Sequence, residues 1–217
     1  VLRDCGALAE LFPEVEKLFG VPQRADYHPE VDTGIHTLMS LQQAARLSDC
    51  ARVRFSVLVH DLGKGITPDD VLPSHRGHEA RGLTLVKNVC DRLKVPNEHR
   101  QLAMVVTEFH LLCHKAQELR PETILKLLKG LGALKSADRL EDFLLCCEAD
   151  ARGRTGFEDR DYPSSDYLRE ARQVALDTDI SDLLNSGISG AEIGQQLSQR
   201  QIAGLTEFKQ NYPTSQA

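Results

Sequence analysis

Apolar residues recur along this chain at helical spacing, block after block. Leu8, Leu11, Val15, Leu18 and Phe19 fall on one face and predict a helix within residues 1–19. Gly20-Val21-Pro22 ends that segment, and a polar loop through Pro29 follows. Asp32 or Thr33 is placed to cap a second helix running to about Leu47, with Ile35, Leu38, Leu41 and Ala45 expected on its inner side. Residues 51–62 form an apolar helix that breaks at Gly63, and residues 64–73 read as a loop rich in Gly, Pro and Asp.

Helical spacing resumes over residues 77–93 through Leu83, Leu85, Val86, Val89 and Leu93. Pro96 suits the start of a helix to about His110, and Pro121 the start of another. Asp138 is placed to cap a helix from Arg139 to about Ala151. Residues 163–176 predict one more helix, and residues 181–217 two short ones around Gly187-Ile188-Ser189-Gly190. No alternating strand pattern of useful length occurs, so the expected fold class is all-α. The expected layout is a leading helix and linker over 1–27, a helical body over 28–156, and a helical tail over 157–217 packed on that body.

Composition narrows the classes. The 217 residues are 41% hydrophobic but lack Trp, so Leu, Val, Ile and Ala must build the core. No apolar run reaches the length of a membrane span, and no secretory signal is evident. The chain opens on Val1, as a piece of a longer protein would. The six cysteines have no C-x-x-C spacing and sit in apolar helical patterns, which argues for buried reduced thiols in a cytosolic protein rather than a zinc ribbon. A net charge of −6 does not suggest a general nucleic-acid binder, although a local basic face is compatible with it.

Candidate chemistry starts at Val57-Leu58-Val59-His60-Asp61-Leu62-Gly63-Lys64-Gly65. Imidazole and carboxylate are both ligands for divalent metals, and an apolar helix end is costly for either without a partner. Adjacent helical residues project about 100° apart, so the pair can share one ion only near the helix end that Gly63 supplies. His36 flanks the apolar face of the preceding helix. Asp150 follows the apolar run Phe143-Leu144-Leu145-Cys146-Cys147-Glu148-Ala149 and is the best further ligand, with a salt bridge to Arg152 or Arg154 as the plainer reading. His75 and His78 are three apart, and His110 and His114 four apart. Taken singly each is an ordinary surface or capping histidine; together they read as walls of a polar cleft. Lys64, Arg152 and Arg154 are either phosphate contacts or solvated and paired cations. His28 and His99 receive no role.

On separate helices of an all-α domain, His36, His60-Asp61 and Asp150 resemble the HD superfamily of metal-dependent phosphohydrolases. The strings His60-Asp61-Leu62-Gly63-Lys64-Gly65, Arg76-Gly77-His78-Glu79, Leu119-Arg120-Pro121-Glu122-Thr123 and Glu148-Ala149-Asp150-Ala151-Arg152-Gly153-Arg154, with the tail Gly187-Ile188-Ser189-Gly190-Ala191-Glu192-Ile193-Gly194, resemble more narrowly the HD domain of proteobacterial CCA-adding tRNA nucleotidyltransferases. The resemblance covers nearly the whole chain. It makes the body over 28–156 an HD-domain helical bundle, and residues 1–27 the join to a nucleotidyltransferase head. That head's Gly-Ser start and paired aspartates have no counterpart here.

The resemblance implies hydrolysis of 2′,3′-cyclic phosphates, 2′-nucleotides and phosphomonoesters near a tRNA 3′ end. It implies a divalent metal, with nickel favoured and manganese, cobalt or magnesium as alternatives. His36, His60, Asp61 and Asp150 become metal ligands, His78 and His110 ligands of a second metal or of phosphate, and Lys64, His114 and Arg154 phosphate or catalytic contacts. The partners implied are the tRNA end, nucleotide phosphoesters, the head domain and, in some relatives, a second copy in a homodimer; the location implied is cytoplasmic. Two other readings compete. One is a different HD nucleotide or alarmone hydrolase. The other is a non-catalytic, tRNA-holding body with a contact face near Lys126, Lys129 and Lys135.

Overall fold

The computed structural model describes residues 1–185 and 188–213. Among these residues there is no strand, only an isolated bridge between Pro22 and Asp32, and the fold is all-helical as the periodicity predicts. The chain divides into two compact units, one of residues 1–114 and 141–162, the other of residues 115–140 and 163–217.

The first unit opens with two short helices, α1 (Ala7–Leu11) and α2 (Pro13–Glu16). The single helix expected over 1–19 is interrupted because Pro13 starts its own helix and Phe12 leaves the helical region at φ −135°. Next come α3 (Thr33–Leu47), α4 (Ala51–Val59), α5 (His78–Arg92) and α6 (Asn97–His114). A 3₁₀ helix, Leu62–Ile66, occupies the start of the segment expected to be loop. Helix α8 (Ala137–Arg152) contributes its residues from Glu141 onward. Leu8, Val15, Leu18, Val59, Leu62, Val86, Val89, Cys90 and Ala103 form one buried cluster, each large aliphatic side chain contributing roughly 1.5–3 kcal/mol by leaving water.

Helix α3 is capped as expected: the Asp32 side chain accepts from the Ile35 amide at 2.9 Å. Its inner face is not the one expected. Ile35 and Leu38 are 46% and 47% exposed, and Ala45 is exposed too. The buried set is Thr33, Gly34, His36, Thr37, Ser40, Gln43 and Ala44. Small residues let backbones close in on this face. A Cβ on Gly34 would overlap the Phe19 ring, and one on Gly153 would overlap Ser40. The hydroxyls find partners, Thr33 donating to the Val21 carbonyl at 3.0 Å and Thr37 to the Thr33 carbonyl at 2.9 Å. The apolar residues were displaced outward because the inner face is given to His36 and the polar groups around it.

The second unit comprises α7 (Pro121–Gly130), the first turn of α8, α9 (Ser164–Leu176), α10 (Ser181–Leu184) and α11 (Gly190–Asn211). Ile124, Leu127, Leu128, Tyr167, Leu168, Ala171 and Leu205 are buried. Helix α11 is one 22-residue helix rather than the expected short stretch. Ser189 and Glu192 form a capping box at its start, and Tyr167 packs on Phe208 and Tyr212 with ring centroids 5.1 and 4.7 Å apart. Of the glycine-punctuated string, Gly187 lies outside the described residues.

Candidate metal centre

Helix α4 ends at Val59, and His60 keeps helical dihedrals while Asp61 sits at φ −104°, ψ 11°. That local turn brings the adjacent pair to one side. Gly63 lies inside the 3₁₀ helix, without a left-handed φ. A Cβ there would overlap the His78 carbonyl oxygen, so the glycine is needed for the 3₁₀ segment to press against α5. The close approach delivers His78 to the pair.

Six buried side chains from α3, the α4 end, α5, α6 and α8 converge: His36, His60, Asp61, His78, His110 and Asp150. His36 Nε2 lies 2.9 Å from Asp150 Oδ1 and 3.8 Å from Asp61 Oδ2. His60 Nε2 lies 3.3 Å from Asp61 Oδ2 and 3.6 Å from Asp150 Oδ2. On the other side of Asp61, Oδ1 is 3.1 Å from His78 Nε2 and 3.7 Å from His110 Nε2.

Each of the four rings is held from behind by a backbone carbonyl. The Nδ1 atoms of His36, His60, His78 and His110 lie 3.0, 2.7, 3.1 and 3.0 Å from the carbonyls of Gly153, Val57, His75 and Val106. A carbonyl can only accept, so Nδ1 carries the proton and Nε2 is the nitrogen presented to the centre. His60 Nε2 and Asp61 Oδ1 are buried and make no hydrogen bond. His78 Nε2, although close to that oxygen, has no proton to offer when Nδ1 holds it. A cation satisfies these atoms where a hydrogen bond does not, and the donor set of imidazole nitrogen and carboxylate oxygen fits a divalent metal. Groups within ligand reach of one another are His36, His60 and Asp61; His60, His110 and Asp150; Asp61, His78 and His110; and, behind His36, the less buried set of His28, Glu30 and His36.

The electrostatics also ask for positive charge. Burial opposes ionisation of Asp61 and Asp150, yet His60 and the other neighbouring cations hold both well below the usual carboxylate range. Burial likewise opposes charging His60, but Asp61 and Asp150 outweigh it and raise its pKa to about 10. His36 is raised against burial by Asp150 and Glu30. His110, buried and next to His60, is lowered to about 3.

Three further residues named from the sequence lie around this core. The Lys64 ammonium is neither solvated nor free: it is buried, 2.7 Å from Asp61 Oδ2 and 3.0 Å from Gln23 Oε1. His114 stands at the edge, its side chain 15% exposed, with Nε2 2.7 Å from Asp150 Oδ2 and Nδ1 2.9 Å from the Tyr162 hydroxyl. Arg154 is not among the groups on the two carboxylates; its Nε is buried without a hydrogen-bond partner, and its charge is felt at His28. Arg152 pairs with Glu148 at 2.8 Å, so it is not the partner of Asp150.

Loop residues 22–31 were missed. Glu30 Oε1 lies 3.1 Å from His36 Nδ1 and 3.0 Å from His28 Nδ1, and the His28 and His36 rings are 4.6 Å apart. His28 therefore belongs to the surroundings of the site. The sequence signal was faint: a His-Pro-Glu string six to eight residues before His36, in a polar loop. His75 was noted only for its spacing. It adopts φ 51°, which turns its carbonyl to His78 while its own ring bridges Thr67 and the Pro22 carbonyl.

An all-helical unit with an adjacent His-Asp pair and outlying His and Asp side chains gathered around it defines an HD domain. The chain belongs to that family, whose profile matches residues 33–142. It is 58% identical over 209 residues to the Multifunctional CCA protein of Thioalkalivibrio sulfidiphilus (strain HL-EbGR7), covering 96% of this chain and 51% of that protein. It is 54% identical over 209 residues to the Multifunctional CCA protein of Methylococcus capsulatus (strain ATCC 33009 / NCIMB 11132 / Bath), with 96% and 49% covered. The chain thus spans about half the length of the curated relatives it matches. Among the described residues no helix is long and apolar enough to cross a membrane.

Proposed function

We propose that this chain is a metal-dependent phosphohydrolase domain acting on 2′,3′-cyclic phosphates, 2′-nucleotides and other phosphomonoesters, working at a tRNA 3′ end beside a nucleotidyltransferase head. One observation carries the reading: four imidazoles tied back through Nδ1 aim Nε2 at two buried carboxylates, one of which has an oxygen with no hydrogen bond. His36, His60, Asp61 and Asp150 would hold the metal. His78 and His110, reaching the other oxygen of Asp61, would hold a second ion or the phosphate.

A bound divalent cation supplies a water acidified to near neutral pH and offsets charge on a phosphoryl oxygen. Nickel, cobalt, manganese and magnesium all suit the donor set, and affinity order favours nickel over manganese. Lys64 neutralises Asp61 and keeps positive charge beside the reacting phosphate. His114 is the ring of the cluster that reaches the edge, so it is the best-placed donor of a proton to the leaving ribose oxygen. Arg154 would extend the positive edge toward the rest of a nucleotide, with His28, whose pKa burial lowers to about 4, as a neutral polar neighbour. Six free thiols suit a reducing cytoplasm.

The test is hydrolysis of 2′,3′-cyclic AMP by the purified chain with added Ni²⁺, Co²⁺, Mn²⁺ or Mg²⁺, with and without chelator, and with Asp61→Ala. Turnover that needs metal and Asp61 supports the reading. No cleavage of any phosphoester with any of these ions ends it and leaves the tRNA-holding body; preference for an alarmone pyrophosphate favours the other HD hydrolase.

A further inference from the structure

Glu30 is a buried charge outside the ligand set. Its side chain is 2% exposed, yet it comes from an irregular loop rather than a helix. Leaving a carboxylate there is costly unless it is fully engaged. Its Oε1 faces His28 Nδ1 at 3.0 Å, His36 Nδ1 at 3.1 Å and Gln23 Nε2 at 3.4 Å, and its Oε2 accepts from the Thr155 amide at 3.5 Å.

Two of these contacts lead directly to the site. His36 Nδ1 sits between the Gly153 carbonyl at 3.0 Å and the Glu30 carboxylate, so the ring has both a neutral and a charged acceptor behind it. Gln23 turns its amide nitrogen to Glu30 and its amide oxygen to Lys64 Nζ, the ammonium that pairs with Asp61. One carboxylate thereby touches the back of one ligand and, through Gln23, the partner of another. A carboxylate behind a metal-binding imidazole fixes the ring and makes the facing nitrogen a stronger donor.

We propose that Glu30 is a positioning residue for the metal centre, strengthening His36 as a ligand from behind and holding Lys64 on Asp61 through Gln23. This rests on the metal reading of the site above. The Gly153 carbonyl already satisfies the geometry of His36, so what Glu30 adds is charge. Glu30→Gln keeps an acceptor and removes the charge; Glu30→Ala removes both.

The experiment is calorimetric titration of the chelator-treated chain with Ni²⁺ and Mn²⁺ for wild type, Glu30→Gln and Glu30→Ala. It is paired with the metal-free unfolding midpoint and with imidazole ¹H–¹⁵N spectra of the metal-free chain. The expected result is a loss of affinity of about 10–100-fold in Glu30→Ala and near the lower end of that range in Glu30→Gln. The His36 Nδ1–H signal should shift in both. Lowered midpoints with unchanged affinity of the folded protein, and an unmoved His36 signal, would mean that Glu30 only pins its loop, and would overturn the proposal. If wild type binds neither ion, the metal reading fails by itself; a His36 signal that moves in both variants then still supports the hold on the ring, and one that does not move overturns it.

Discussion

His78 and His110 face each other through their Nε2 atoms at 3.2 Å, while the Nδ1 of each is bonded to a backbone carbonyl. Two lone pairs at that separation repel unless positive charge lies between or beside them. Asp61 Oδ1, 3.1 and 3.7 Å from the two nitrogens, marks where it would sit.

A divalent cation should therefore stabilise the folded chain. At a hundred-fold excess over its dissociation constant the gain is about 2.7 kcal/mol, or roughly 5–10 °C in unfolding midpoint for a chain of this size. Scanning calorimetry with Ni²⁺ or Mn²⁺, then with chelator, checks it. His110→Ala should shrink the gain, and an unchanged shift would show that His110 stands apart from the bound ion.

Binding should release protons. With a pKa raised to about 10 by Asp61 and Asp150, against 6.5 ordinarily, His60 is charged in the metal-free fold at neutral pH. A ligand nitrogen must be bare, so affinity should climb with pH, by about ten-fold per unit for one linked proton. The same shift sets a stability window. The contribution of His60 to the metal-free fold is complete below about pH 6.5 and is lost as pH rises through about 10. Titrations in buffers of different ionisation enthalpy report the released proton directly.

Gly63→Ala tests the close approach of the 3₁₀ segment to α5. The new methyl meets the His78 carbonyl oxygen, a backbone atom that cannot swing aside. A loss of about 2–3 kcal/mol in urea unfolding is expected, together with weaker metal binding because His78 moves with its backbone. Full stability in this variant would mean that the contact relaxes freely.

Helix α3 offers a contrast between its faces. Ile35→Gln and Leu38→Gln lie on the exposed side and should change stability by no more than about 0.5 kcal/mol. Ser40→Leu, buried against Gly153, should cost about 3 kcal/mol or more. The opposite ranking would restore the face read from hydrophobicity.

That helix also shows where sequence reasoning stops. Its span and its Asp32 cap were legible because local chemistry sets both. Its orientation was not, because the unit buries a polar site there instead of an apolar stripe, and counting Ile35 and Leu38 selects the wrong side. Ligand chemistry singled out His60 and Asp61 and left Asp150 open against a salt bridge, and the set with His36 came from the resemblance to HD domains; the fold brings all four side chains together. Glu30 and His28 were not legible, since their significance comes from contacts with α3 and, across 125 residues, with Thr155, which no local pattern encodes. Lys64 follows the pair in the sequence, but its burial on Asp61 and Gln23 depends on a loop far back in the chain.

The most direct test of the centre is a metal titration of the chelator-treated chain beside His36→Ala and Asp61→Ala, read by calorimetry with circular dichroism to confirm folding. Saturable Ni²⁺ or Mn²⁺ binding in wild type that either substitution weakens by more than the roughly 10–100-fold typical of supporting residues is the predicted result. Folded wild-type protein that binds no divalent ion saturably, or binding unchanged when Asp61 is replaced, would contradict it.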